Sequence, residues 1–329
     1  VKAGVLQGAH AAEDRPLSFH LIGYLHAMKA KGNSPKTMSV NITRIGALLR
    51  RWEMHRLSDI TAERVDEYLT ERRIAKRGIS AKTANDYAQA VKGFCNWLVK
   101  AGRLDSSPLD GLAPLPVVEE ETRWPLSIEE MRVLLSVTAS GPVRMKMSGV
   151  ERALLYRLAV ETGYRAGELA SLTRANFDLE RETPTVRCLA ASSKGKRRSS
   201  IPLRPETAAM LGRHLAIKAP AALAFNMPQS THTAAMVRAD LIEARIPITD
   251  DLGRKRDFHA LRHTCGTWLA DAGVHPKVIQ TIMRHSTIRL TMDRYAHSDR
   301  DQATDALGRM PSLSEQAQQA TGTDDAPVI

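Results

Sequence analysis

The sequence is poor in cysteine, and its cysteines lack the spacing of a disulfide framework or a zinc site. Only three occur in 329 residues, far apart and without C-x-x-C spacing. A disulfide scaffold and a zinc ribbon are therefore excluded. We predict buried thiols at Cys95, Cys188 and Cys265.

Long apolar segments are also missing. No run approaches the roughly 18 apolar residues that span a bilayer. The apolar start, residues 1–6, is too short for a signal peptide, and Glu13, Asp14 and Arg15 follow it closely. These absences predict a cytoplasmic protein that does not contact a membrane.

Acidic residues are outnumbered by basic ones, 36 to 47, and the formal net charge is +11. Such a surface attracts a polyanion, and nucleic acid is a better candidate than an anionic membrane. The length exceeds that of a usual single domain, so we predict two domains, each with its own core.

The amino-terminal part reads as helical, without a strand pattern. After an extension over residues 1–15, residues 16–104 show four amphipathic segments. The first ends at Gly32 and places Leu21, Leu25 and Met28 on one face. The other three are predicted to begin at Ser34, Thr61 and about Ser80, which are good N-cap residues. Basic residues lie outside the apolar stripes, on faces that phosphates or plain solvent can reach: Lys36, Arg44, Lys82 and Lys92.

Residues 105–124 are proline-rich and aperiodic, which predicts an extended linker. A second, mainly helical domain is predicted over residues 125–310, opened by a capping box at Ser127 and Glu130. Two short strands, residues 185–189 and 199–203, predict a β-hairpin. A polar tail, residues 311–329, is predicted to be disordered.

Five polar residues of the second domain suit phosphodiester chemistry without a metal. They are Arg165 in TGYRAGEL, His259 and Arg262 in HALRH, His285 in RHS, and Tyr295 in DRYAH. Two guanidinium groups can clamp the non-bridging oxygens of one phosphate through paired donors. The tyrosine hydroxyl is a nucleophile that needs neighbouring cations and a proton acceptor, because its ordinary pKa is about 10.

These motifs, in this order and spacing, resemble those of the tyrosine recombinase or phage integrase family, which includes Cre-like and Xer-like site-specific recombinases. The resemblance implies a mainly α protein with the DNA breaking-rejoining enzyme fold. Residues 16–104 would be a helical, SAM-like core-binding domain whose basic residues contact DNA phosphates, namely Lys36, Arg44, Lys82 and Lys92. Residues 125–310 would be a catalytic domain with a small antiparallel sheet. The implied partner is double-stranded DNA, bound by a homo-tetramer on two paired sites, and no cofactor or metal is implied.

The resemblance also implies residue roles. Tyr295 would attack the phosphate, Arg165, Arg262 and His285 would stabilise the transition state, and His259 would accept the tyrosine proton. The hairpin segment SSKGKRRSSIPL would carry the family's lysine, which counting back from residue 201 places at Lys194. Lys196 stays open as an alternative, because both side chains lie on the same face of an alternating strand.

The hairpin carries further basic residues. Between Arg187 and Arg204 the chain has six basic residues and no acidic one. Such a run without a counter-charge predicts a DNA contact rather than a solvated turn. We assign Lys196, Arg197 and Arg198 to it.

One position departs from the family pattern: Arg284 stands where the family usually has glycine, and we expect it to add a cation near the site. A metal alternative rests on His259 and His263, four residues apart on a predicted helix. It lacks the glutamate of H-E-x-x-H, because Ala260 occupies that place, so we predict no metal site.

The sequence therefore predicts a site-specific DNA recombinase, or integrase, that acts through a 3′-phosphotyrosyl intermediate without ATP. Two alternatives stay open. A type IB topoisomerase shares the nucleophile and the cations but works on one duplex, and a non-catalytic DNA-binding protein could use the same scaffold. Relaxation of supercoils, joining of two sites and simple binding distinguish the three functions.

Overall fold

A computed structural model describes residues 14–117, 122–188, 199–229, 231–289 and 291–292. The chain divides into two compact units, residues 1–120 and 121–329. Each has its own apolar core. In the described ranges no helix is both long and apolar enough to cross a bilayer.

The described part of the first unit contains four α-helices, as predicted. They are α1 (Leu17–Ala30), α2 (Pro35–Arg51), α3 (Ala62–Ile74) and α4 (Ala81–Lys100). Ser34, Thr61 and Ser80 are the N-caps of α2, α3 and α4, and each side chain accepts the backbone N–H three residues on. The core around α4 includes Val91 and Phe94, both fully buried.

Two details of this unit differ from the sequence analysis. Leu25 is 36% exposed, whereas His20 on the same helix is fully buried and bonds through Nδ1 to Arg103 Nη1, 2.9 Å away. The apolar pattern missed this face because the buried residue is polar. The start of the predicted linker is not extended: Leu109 is fully buried in the core of the first unit, and Leu112 and Leu115 pack against it. The domain limits themselves stay a prediction.

The second unit is mainly helical and carries a small sheet. Among its described residues the α-helices are α5 (Ile128–Ser140), α6 (Gly149–Thr162), α7 (Ala166–Ala170), α8 (Pro205–Leu215), α9 (Thr233–Glu243), α10 (Phe258–Asp271) and α11 (Pro276–Met283). Helix α6 is buried on nearly every face and packs against α5, α8 and α10. It therefore forms the centre of this unit.

Three short antiparallel strands form the sheet in the order β1 (Phe177–Asp178), β2 (Thr185–Cys188) and β3 (Ser199–Pro202). Val186 pairs with Ile201, and both side chains are buried in the core. The predicted hairpin is thus present as the β2–β3 pair. Its connecting residues, 189–198, lie outside the described ranges.

Candidate active site

The loop between α6 and α7 presents Arg165. Gly163 ends α6 in the left-handed conformation, with φ at +59°, and an added Cβ would stand 2.8 Å from the sulfur of Met283. Both the backbone conformation and this close approach require glycine. Arg165 follows as the N-cap of α7, and its side chain is 30% exposed. The turn at Gly163 therefore fixes the backbone of Arg165, and the guanidinium of Arg165 is partly exposed at the surface.

A buried carboxylate, Glu168, holds this arginine. Glu168 is 1% exposed. Its Oε2 accepts the backbone N–H of Arg165 at 2.9 Å, and its Oε1 accepts the Nη1 of Arg165 at 3.1 Å. Burial opposes ionisation of Glu168, yet Arg284 and Arg165 together hold its pKa below the ordinary range. The group is therefore a carboxylate at neutral pH.

The second arginine, Arg262, lies on α10 and is 4% exposed. Its Nη1 donates to the carbonyl of Gly163 and its Nη2 to the carbonyl of Met283. These bonds tie α10 to the loop before Arg165 and to the end of α11. The two arginines of the sequence motif are thus connected through one loop.

Arg284 and His285 follow α11. The guanidinium of Arg284 packs over the ring of Tyr164, 4.2 Å from its centroid, and its Nη2 donates to Glu168 Oε2 and to the carbonyl of Gly163, both at 3.0 Å. His285 Nδ1 lies 2.9 Å from the hydroxyl of Thr291, which is buried. The predicted extra cation is therefore inside the protein, next to the loop of Arg165.

His259 occupies the first turn of α10. The N-cap Asp257 accepts its backbone N–H at 2.9 Å and is itself paired with Arg123 at 3.0 Å. Burial, aided by Arg262 and Arg123 and opposed by Asp257, lowers the pKa of His259 to about 4. The imidazole is neutral at pH 7 and can accept a proton.

This pKa predicts a pH-dependent stability. Unfolded histidine has a pKa near 6.5, so the unfolded chain takes up a proton at pH 5 that folded His259 does not. The contribution is present above pH 6.5 and is lost as the pH falls towards 4. We expect the free energy of unfolding to decrease by about 2 kcal/mol between pH 7.5 and 5 on this account.

Urea unfolding of wild type and His259→Asn at both pH values measures this decrease. The variant should lose this share of the pH dependence, whereas His232→Asn, at an exposed histidine of the same unit, should keep it. An unchanged pH dependence in His259→Asn would contradict the prediction.

The structure brings several predicted residues into one region. Arg165 and Arg262 both act on the charge of Glu168 and on the pKa of His259. His285 directly follows Arg284, which contacts Glu168. Five predicted residues lie outside the described ranges: Lys194, Lys196, Arg197, Arg198 and Tyr295.

The predicted DNA contacts of the first unit fall into two kinds. Lys36 and Lys82 are exposed. Arg44 forms an ion pair with Asp86 at 2.8 Å, and Lys92, half-buried, donates to the carbonyl of Leu112. The last two therefore have intramolecular roles that the apolar pattern did not indicate.

No group of three or more potential metal ligands comes together among the residues that the structure describes. His259 and His263 instead meet edge to face, with ring centroids 5.1 Å apart. The three cysteines are buried and none forms a disulfide, which confirms the predicted thiols.

Sequence reasoning missed Glu168. Its signal was available: Arg165 and Glu168 have the i, i+3 spacing of a capping box, and an acid beside an arginine that is predicted to bind phosphate requires neutralisation by another cation. Nothing in the sequence indicated that Arg284, 116 positions later, supplies that cation.

A sequence model of the phage integrase family matches residues 126–302, more than half of the chain. The chain belongs to the phage integrase family. Its fold and enzyme class are those that the sequence predicts: a mainly helical tyrosine-type site-specific recombinase with a small antiparallel sheet.

Relatives and solved structures agree with this membership. A tyrosine recombinase XerC of Mycobacterium sp. (strain KMS) is 26% identical over 229 residues, covering 68% of this chain and 74% of the relative. The XerC of Chlorobaculum parvum is 24% identical over 308 residues, covering 83% and 88%.

Two integrase structures share the fold. The Tn1549 transposon integrase, solved with transposon right end DNA, has a TM-score of 0.64 and 21% identity, covering 88% of this chain and 99% of that one. Lambda integrase, solved as a dimer bound to a COC′ core site, has a TM-score of 0.65 and 18% identity, covering 91% and 99%.

Proposed function

We propose that this integrase cuts and rejoins double-stranded DNA through a covalent link to Tyr295. The tyrosine oxygen attacks the scissile phosphorus, the bond from phosphorus to the 5′ oxygen breaks, and a 3′-phosphotyrosyl link replaces it. One phosphoester bond forms for each that breaks, so a second 5′-hydroxyl can reverse the step without ATP. The observation that carries the proposal is the hydrogen-bonded network that joins Arg165 and Arg262 through a single loop.

In this proposal the two arginines stabilise the charge that develops on the phosphate. Within the described residues, the side chain of Arg165 bonds only through Nη1, so Nε and Nη2 remain for a ligand. Arg262, fixed by the carbonyls of Gly163 and Met283, is the second source of donors to the phosphate in this proposal. Each such donor contributes on the order of 10²- to 10³-fold to the rate in comparable sites. His285 adds a further donor.

His259 accepts the tyrosine proton in this proposal. A pKa of about 4 makes it a weak base in the free protein, because positive groups surround a buried ring. A bound phosphodiester would supply a negative charge among the same cations and raise the pKa. Proton transfer is therefore coupled to substrate binding, and the acceptor becomes effective when the phosphate is in place.

Lys194 protonates the leaving 5′ oxygen, with Lys196 as the alternative. We expect a 5′-bridging phosphorothiolate substrate to restore cleavage to the variant that lacks the acid, because a thiolate leaves without a proton. Cleavage rates of Lys194→Ala and Lys196→Ala on both substrates measure this. Rescue of Lys196→Ala alone would transfer the role to Lys196.

For the DNA interface we propose the exposed Lys36 and Lys82 together with the hairpin residues Lys196, Arg197 and Arg198. Arg44 and Lys92 could join only by exchanging their present partners. As in the recombinases it resembles, a homo-tetramer on two paired sites would carry out the exchange in the cytoplasm. The net charge of +11 supports a polyanionic partner.

Capture of the covalent adduct tests the proposal without knowledge of the target sequence. Full-length protein is incubated with a library of nicked duplexes of random sequence, and adducts that survive denaturation are purified and sequenced. Peptide mass spectrometry should locate the nucleotide on Tyr295. An adduct on any other residue, or none after enrichment of bound duplexes, would refute the proposed nucleophile.

A further inference from the structure

Arg284 has an unfavourable backbone conformation for its residue type. It follows α11 with φ at +52° and ψ at 45°, in the left-handed region where a side chain clashes with the backbone. Glycine would relieve this strain. An arginine at such a position therefore needs a compensating interaction of its side chain.

The side chain is buried as well as charged. It is 8% exposed, and within the described residues its Nε–H is buried without an acceptor. Burying a guanidinium with one unsatisfied donor costs free energy, so stability alone does not explain this residue. Its contacts therefore indicate what else it does.

Those contacts connect both arginines of the candidate site. Nη2 of Arg284 donates to Glu168 Oε2, the atom that also accepts the backbone N–H of Arg165. The same Nη2 donates to the carbonyl of Gly163, which also accepts from Arg262. Arg284 thus shares one acceptor with Arg165 and another with Arg262, and it links the two.

Charge gives this bridge a chemical consequence. Arg165 and Arg284 pair with Glu168, and Arg262 lies within electrostatic reach of it. Three guanidinium groups against one carboxylate leave two net positive charges. Without Arg284 only one would remain, and Glu168 would attract the side chain of Arg165 more strongly.

We propose that Arg284 is a positioning residue of the active site: it neutralises Glu168 and so keeps Arg165 and Arg262 available to hold a phosphate. The inference rests on the proposed function, because it assumes that these two arginines bind the scissile phosphate. Removing one positive charge should lower the affinity for phosphate about tenfold. It should also slow cleavage at saturating DNA by a further factor of about ten, since the transition state carries additional negative charge.

The test uses full-length protein and inorganic phosphate, with binding followed by calorimetry. Arg284→Gly removes the guanidinium and relieves the backbone, and we expect about tenfold weaker phosphate binding. Arg245→Gly is the matched control, because Arg245 also follows a helix with φ at +55° but is exposed. It should leave phosphate affinity unchanged. Arg284→Lys should retain more affinity than Arg284→Gly.

A single variant and a double variant distinguish a positioning role of Arg284 from a purely structural one. Arg284→Met should lose phosphate affinity, and Glu168→Gln added to it should recover part of that loss, because the carboxylate that required neutralisation is gone. A purely structural role would instead make the double variant no better than the single one. Thermal melting confirms that each variant is folded at the assay temperature.

Single-turnover cleavage of a captured duplex by the same variants completes the test. Equal phosphate affinity and equal cleavage rates in wild type and Arg284→Gly would overturn the inference. Phosphate binding does not require the nucleophile, so an absence of adduct on Tyr295 would refute the proposed reaction and still leave the effect of Arg284 measurable.

Discussion

Replacing Tyr295 with phenylalanine is expected to abolish the covalent protein–DNA adduct and to leave DNA affinity within about twofold. The ring remains and only the hydroxyl is lost, so one neutral group disappears from an interface dominated by phosphate contacts. The attacking oxygen is absent, and no phosphotyrosyl bond can form. We expect strand cleavage to fall to background.

The other tyrosines of the second unit are unsuited to attack. The hydroxyl of Tyr156 donates to Asp240 at 2.7 Å, and that of Tyr164 donates to the carbonyl of Val186 at 3.1 Å. Burial raises the pKa of Tyr164 to about 12 and raises that of Tyr156 as well. Both hydroxyls are buried and already bonded, and neither can become an accessible tyrosinate.

Tyr164→Phe is therefore the matched control for Tyr295→Phe. It removes a hydroxyl from the residue next to Arg165, and the adduct should still form. Denaturing gels of the captured duplex measure the adduct, and shift assays measure binding. An adduct of undiminished yield in Tyr295→Phe would overturn the assignment of the nucleophile.

The positions of the helices could be predicted from the sequence because helix starts and ends depend on local chemistry. Ser34, Thr61 and Ser80 cap the helices they were predicted to begin, and Gly163 ends α6 before Arg165. An N-cap is decided by a residue and its neighbours three positions on, which a sequence displays directly.

Contacts between segments that are distant in the sequence could not be predicted. Leu109 belongs to an aperiodic, proline-rich stretch, and its burial depends on the surface that α4 and its neighbours leave open. The bridge from Arg284 to Glu168 requires that α11 end beside the loop of Arg165. Such pairings are properties of the packed unit, and neither spacing nor residue type encodes them locally.

A buried ion-pair network near α6 was equally invisible in the sequence. Arg152 and Asp240 have fully buried side chains and meet at 2.8 Å, and Tyr156 donates to the same carboxylate. Arg144 reaches it at 3.1 Å from the loop between α5 and α6. One carboxylate of α9 thus fixes α6 and the segment before it.

Asp240→Ala is expected to lower the free energy of unfolding of the second unit by about 3 to 5 kcal/mol. The substitution leaves the guanidinium of Arg152 buried, with only the carbonyls of Pro142 and Met147 as acceptors in the described structure. Asp178→Ala is the control: its pair with Arg181 also spans 2.8 Å, but the arginine is 72% exposed. That loss should be at most about 1 kcal/mol.

Urea unfolding of the two variants, followed by the signal of the second unit, measures the difference. A triple variant, Arg152→Met with Tyr156→Phe and Asp240→Leu, should regain much of the stability lost in Asp240→Ala. The buried guanidinium, hydroxyl and carboxylate are then removed together, and the carbonyl of Met147 keeps the N–H of Arg144 as a donor. Equal losses in Asp240→Ala and Asp178→Ala would contradict the prediction. Helix α6 ends at the loop that presents Arg165, so the loss of this network should also disturb the candidate site. We therefore expect Asp240→Ala to bind phosphate more weakly even at urea concentrations well below the midpoint of unfolding.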